Sequence, residues 1–107
     1  MATVVVSAIG GRCVVEPGRL RVARGDTITF VAHNSHVCIM IPDFGIVPTP
    51  AGTLVNRVTD IDKGQAKNVT LETEANGAPR GIFPYAVCAD DILVYADPNS
   101  PPYMIIE

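Results

Sequence analysis

Three side chains that bind soft metals stand at alternate positions in one short stretch: His36, Cys38 and Met40. If Val37–Ile41 is a β-strand, all three face the same side. Imidazole, thiolate and thioether together suit Cu(I), or Zn(II) if the ligands close tetrahedrally. A pocket of this kind needs that side to face inward. The competing reading makes Cys38 and Met40 core residues packed for volume, a common fate for both types. Further along the chain Cys88 ends an apolar run, and Asp91 follows three residues later, where it offers an oxygen donor or a turn-forming, solvated carboxylate. His33 falls out of phase with the apolar face of its stretch and reads as exposed. Cys13 shares a face with Val15 and reads as core.

The elements that must position these residues are strands. Val, Ile, Ala and Leu supply most of the apolar content, with no Trp, and β-branched residues favour extended chain. Nine Gly and nine Pro in 107 residues break the chain too often for long helices. Strands are expected over 3–9, 12–15, 19–23 and 27–33, then over 37–41, 67–73, 82–89 and 103–107, with turn signals between. In the fourth of these, Ile28, Phe30 and Ala32 point one way and Thr27, Thr29, Val31 and His33 the other. Leu54–Ile61 fits a strand or a helical turn equally. Phe44–Gly52 and Asp90–Pro102 read as loops, with Ile92–Tyr95 able to pair locally.

These pieces line up in an order that resembles the cupredoxin family, the plastocyanin and azurin type of fold. Val15-Glu16-Pro17, Leu20-x-Val22 and Gly25-Asp26-Thr27-Ile28-Thr29-Phe30 look like its opening, with Asn34-Ser35-His36 standing where the family carries Asn and a ligand histidine. Gly64, Val69-Thr70-Leu71 and Pro84-Tyr85-Ala86-Val87-Cys88 look like the approach to its ligand cysteine. The resemblance implies an all-β, Greek-key antiparallel sandwich of seven or eight strands forming one domain. It also implies copper held by His36 and Cys88; the donor chemistry of Cys38, Met40 and Asp91, which the family pattern does not supply, makes them the candidates to complete the set.

The resemblance fails where the family's electron-transfer centre is built. That centre uses two imidazoles and a thiolate in a trigonal plane with a weak axial ligand. Here Cys88 is followed by Ala89-Asp90-Asp91-Ile92, and no histidine lies beyond His36. Met104 sits inside the last expected strand without the family's spacing. Copper handling at an incomplete, non-blue site is therefore the expected function. A metal-free module for interaction or assembly is the alternative, and a blue-copper carrier with an atypical ligand set ranks third. A Cys–His–acid catalytic arrangement of Cys88, His36 and Asp91 lacks any sign of an oxyanion hole, so no enzyme is expected.

Charge and composition narrow the partners. The net charge is −3, and Arg19, Arg21 and Arg24 are flanked by Glu16 and Asp26, so there is no basic face for nucleic acid. No apolar run reaches the roughly 20 residues that span a bilayer. The Phe44–Pro48 stretch is apolar and bounded by prolines, which suits a protein partner or self-association. Three cysteines without a Cys-x-x-Cys pair argue against a disulfide framework. No signal peptide is visible at Met1, so the expected compartment is cytoplasmic, or periplasmic or extracellular if a leader was removed.

Overall fold

The computed structural model describes residues 2–41, 57–96 and 101–107, with only the backbone of residues 57 and 58. The strands are β1 (Ala2–Ile9), β2 (Arg12–Glu16), β3 (Arg19–Val22), β4 (Thr27–Ala32), β5 (Val37–Ile41), β6 (Arg57–Ile61), β7 (Ala66–Thr70), β8 (Gly81–Pro84), β9 (Ala86–Ala89), β10 (Val94–Tyr95) and β11 (Tyr103–Ile106). Two single 3-10 turns, Glu74–Asn76 and Asp90–Ile92, complete the regular structure among the described residues. Among the described residues no helix is long and apolar enough to cross a membrane.

Alternation in sequence becomes alternation in burial. Along β4, Ile28, Phe30 and Ala32 are fully buried while Thr27, Thr29 and Val31 are half-exposed. The period of two carries successive side chains to opposite faces, and only one face of each sheet meets the core. Val69 and Leu71 are buried as their pattern predicts, and Cys13 is buried. Leu54–Ile61 resolves towards a strand, β6, from residue 57 onward. The 44–52 loop, including the apolar Phe44–Pro48 stretch, lies outside the described residues, as does 97–100.

Three sheets enclose a single core: β2-β1-β4-β7, β10-β9-β5-β6 and β3-β11-β8. Only Pro17-Gly18 separates β2 from β3, and only Tyr85 separates β8 from β9, so each pair is one strand changing sheets. With those two mergers the eleven segments become nine strands among the described residues, one more than the upper number expected, the shortest being the two-residue β10. The architecture is an all-β sandwich, as expected. Among the described residues a single parallel bridge joins Cys13 to Ala96, and the strand ladders are antiparallel except β1 with β4 and β11 with β3. A parallel pair needs a connection that crosses over. Both occur where the chain returns from another sheet, β1 reaching β4 only after β2 and β3.

One end of the sandwich gathers the residues of interest. The β1–β2 hairpin turns there through Gly10 and Gly11, both at positive φ (58° and 76°), as a two-residue turn matched to strand twist requires. Beside it lies the Asn34–His36 loop, tied to β1 by two bonds of one side chain. The Ala8 N–H donates to Asn34 Oδ1 (2.7 Å), and Asn34 Nδ2 donates to the Ala8 carbonyl (2.9 Å). The turns at Asp62–Gln65 and Asp90–Ile92 close the same end, with Gly64 N–H donating to the Ala32 carbonyl and Asp90 N–H to that of His36.

Candidate metal centre

Strand β5 is apolar at every position, so its inward face is decided by its neighbours. Val37, Ile39 and Ile41 are buried against the core; Cys38 and Met40 are half-buried on the opposite, outer face. This corrects both readings of Cys38 and Met40, as core residues and as the lining of an inward pocket. Strand β9 follows the same rule. Val87 and Ala89 are buried, and Cys88 faces outward. Tyr85, buried just before β9, packs edge-on against Phe30 with ring centroids 6.0 Å apart and planes at 74°. It anchors the strand in that phase.

The register then brings the two outward cysteines together. Cys38 and Cys88 are direct partners across the antiparallel β5–β9 ladder. On the far side of Cys38 stands Asp60 of β6, and on the far side of Cys88 stands Tyr95 of β10. The row across the outer face therefore reads Asp60, Cys38, Cys88, Tyr95. His36 and Asp90 form the next row towards the end of the sandwich.

Carboxylates surround this patch. His36 Nδ1 lies 3.0 Å from Asp90 Oδ2, and Nε2 lies 3.7 Å from Asp62 Oδ1. The backbone N–H of His36 donates to Asp91 Oδ2 (3.1 Å), so Asp91 acts as a clamp between two turns. Burial raises the Cys38 thiol pKa above its ordinary value, and Asp60, which accepts its hydrogen bond, Cys88 and Asp90 push it further. Burial raises Cys88 as well, with Asp90 adding to it. A Cys–His–acid arrangement needs the thiol pKa lowered, and the carboxylates around this pair act in the opposite direction.

No family model matches the sequence, and no curated protein matches it either. Solved structures do match. Pseudoazurin from Methylobacterium extorquens AM1 is 20% identical, with 98% of this chain and 73% of that chain covered and a TM-score of 0.52. Two amicyanin variants are each 18% identical over 98% of this chain and 82% of theirs, both with TM-scores of 0.51. One is a Pro-to-Gly variant in the reduced Cu(I) form, the other a Met-to-Lys variant in the oxidised form. The fold is that of the cupredoxins.

A cupredoxin's blue-copper centre requires two imidazoles and a thiolate in one plane. The residues present do not fit it. Where β5 and β9 end, the inward-facing pair is Val37 and Ala89, both fully buried and neither able to ligate. The sulfur of Cys88 is on the other face. The chain has two histidines; His33 is exposed on β4's continuation and His36 lies between two carboxylates. Among the described residues no three His, Cys, Asp or Glu side chains converge on one point. What this cupredoxin fold offers instead is a pair of opposed sulfurs on its outer face, with Met40 on β5 and His36 just before that strand flanking Cys38 along the chain. Asp60, Asp62 and Asp90 belong to that patch and carry no motif in the sequence. Their only signal is the strand pairing that sets them beside Cys38 and His36.

Proposed function

We propose that the protein binds copper as Cu(I) through Cys38 and Cys88 and handles the metal rather than carrying electrons from a blue centre. The observation that supports this reading is the direct pairing of the two cysteines across β5 and β9. Two thiolates suit a soft monovalent cation, and a third donor would come from Met40, one alternate position along β5 from Cys38, or from His36 immediately before the strand. The nearby Asp60 and Asp90 carboxylates attract a cation, while they also hold the thiol protons that the metal must displace, so retention should strengthen as pH rises.

Anaerobic Cu(I) titration in competition with a chromophoric chelator tests it. The wild type should retain one equivalent, and Cys38→Ser and Cys88→Ser should each lose it. Retention unchanged in both variants would defeat the proposal. Added Cu(II) should give no intense thiolate charge-transfer band.

A metal-free recognition module is the second reading, favoured by the apolar side chains left in solvent. Leu93 is 83% exposed at positive φ (56°), and Ile9 is exposed at the adjoining hairpin. Two such residues at one end of the sandwich suit protein contact. A protein that binds no Cu(I) and behaves as wild type in both serine variants belongs to this class.

A further inference from the structure

The pairing that brings Cys38 opposite Cys88 has a second chemical consequence, one that needs no metal. In an antiparallel ladder, facing pairs alternate between those that exchange backbone hydrogen bonds and those that do not. The Asp90 N–H donates to the His36 carbonyl at 2.8 Å, so His36–Asp90 is of the bonded kind. Two steps along, Cys38–Cys88 is bonded too. Such pairs have Cα atoms about 5.5 Å apart, within the range of roughly 4.4–6.8 Å that disulfides span. The Cβ atoms of a bonded facing pair stand about 5.5 Å apart, wider than the roughly 3.5–4.5 Å that a disulfide holds, so closure must draw the two strands together. The bond formed is correspondingly easy to reduce.

The surroundings favour exchange at this pair over the third thiol. Cys38 and Cys88 are half-exposed on the outer face, whereas Cys13 is buried in the core. All three thiols are free.

We propose that Cys38 and Cys88 form a reversible dithiol–disulfide couple that exchanges with low-molecular-weight disulfides. One cysteine, as thiolate, attacks a sulfur of the small disulfide. A mixed disulfide forms and one small thiolate leaves. The second cysteine thiolate then attacks the protein sulfur of that mixed disulfide, and the other small thiolate leaves. Two electrons pass from the protein pair to the small disulfide, and the two protons lost by the cysteines end on the two small thiols released. Oxidation ties both sulfurs into one bond, so the couple also decides whether they are available to any other ligand.

The test uses the metal-free full chain, incubated with oxidised glutathione in the presence of a strong copper chelator. Wild type should lose two of its three titratable thiols, retain no glutathione and drop in intact mass by two hydrogens, and a peptide map should join residues 38 and 88. Dithiothreitol should reverse it. Cys88→Ser should stop at a stable glutathione adduct on Cys38, because the resolving thiol is missing. The exchange rate should rise about tenfold per pH unit between pH 7 and 8, following the thiolate fraction. A map joining Cys13 to either partner, a covalent dimer, or a glutathionylated wild type that does not resolve would each overturn the couple. Because copper is excluded, failure of Cu(I) binding leaves this result untouched, and failure of the couple leaves the titration above untouched.

Discussion

His36 and Asp90 are joined twice: the Asp90 N–H donates to the His36 carbonyl at 2.8 Å, and Asp90 Oδ2 lies 3.0 Å from His36 Nδ1. Asp91, the next residue, receives the His36 N–H. The histidine that the resemblance assigns to copper is thus enclosed by the turn that follows the cysteine strand. Its side chain is 28% exposed and that of Asp90 51%, so solvent screens the ring contact and it adds little to stability. Position is its larger effect, since it holds the imidazole at the edge of the cysteine patch.

If His36 serves as an auxiliary donor, removing it weakens the metal site without abolishing it. His36→Ala should lower Cu(I) affinity about tenfold, the scale on which supporting interactions act on metal sites, while either cysteine variant abolishes retention. Competition titration of the three variants side by side reads the order directly. A His36→Ala protein as deficient as Cys88→Ser would make the imidazole a principal ligand.

Asn34 is the cheapest place to loosen this end of the fold. Its side chain makes both bonds to the Ala8 backbone, at 2.7 and 2.9 Å, in a surface-exposed position. Asn34→Ala should cost about 1–2 kcal/mol, the net worth of two such bonds, seen as a lower urea midpoint at unchanged m-value. No change in midpoint would mean that water replaces both bonds without loss.

The extent of β5 was legible in the sequence, and its orientation was not. Val37–Ile41 is an apolar run closed by Pro42, which fixes the strand's limits. Every residue in it is apolar, so the alternation rule divides the strand into 37, 39, 41 and 38, 40 without saying which set faces in. In β4 the threonines break that symmetry, and there the inward face reads correctly. β9 repeats the difficulty, with Ala86, Val87, Cys88 and Ala89 all compatible with burial. Only tertiary contacts, chiefly Tyr85 on Phe30, settle its phase. The facing of Cys38 and Cys88 depends on register between strands far apart in sequence, and no local pattern encodes it.

Alkaline pH should expose the cost of burying these weak acids. Burial raises the pKa of Cys13, Cys38 and Cys88 above the ordinary value of 9.0, and burial raises that of Tyr85 above 10.0. Well below pH 9 both the folded and unfolded chains keep these groups protonated, so none of them makes stability depend on pH there. Above it the unfolded chain loses protons first, and the folded state loses stability as pH rises. The urea midpoint should therefore be flat from pH 7 to 8.5 and fall between pH 9 and 10.5. Replacing Cys38 and Cys88 with Ser should make that fall shallower. A midpoint that rises with alkalinity contradicts the assignment.

Tyr85 separates packing from hydrogen bonding within the same residue. Its ring is 3% exposed and packs on Phe30, yet its hydroxyl has no hydrogen-bond partner among the described residues. A buried hydroxyl without a partner opposes folding, whereas the ring favours it. Tyr85→Phe keeps the ring and removes the hydroxyl, so it should leave stability unchanged or raise it by about 1 kcal/mol. Tyr85→Ala removes the ring as well and should cost about 3–5 kcal/mol, in the range for large aromatic truncations in a core. It should also disturb Cu(I) retention, because the phase of β9, and with it the outward aim of Cys88, depends on that ring. Chemical denaturation of both variants, followed by Cu(I) competition on whichever remains folded, checks the two contributions separately. A Phe variant less stable than wild type by more than 1 kcal/mol would show that the hydroxyl is bonded in solution.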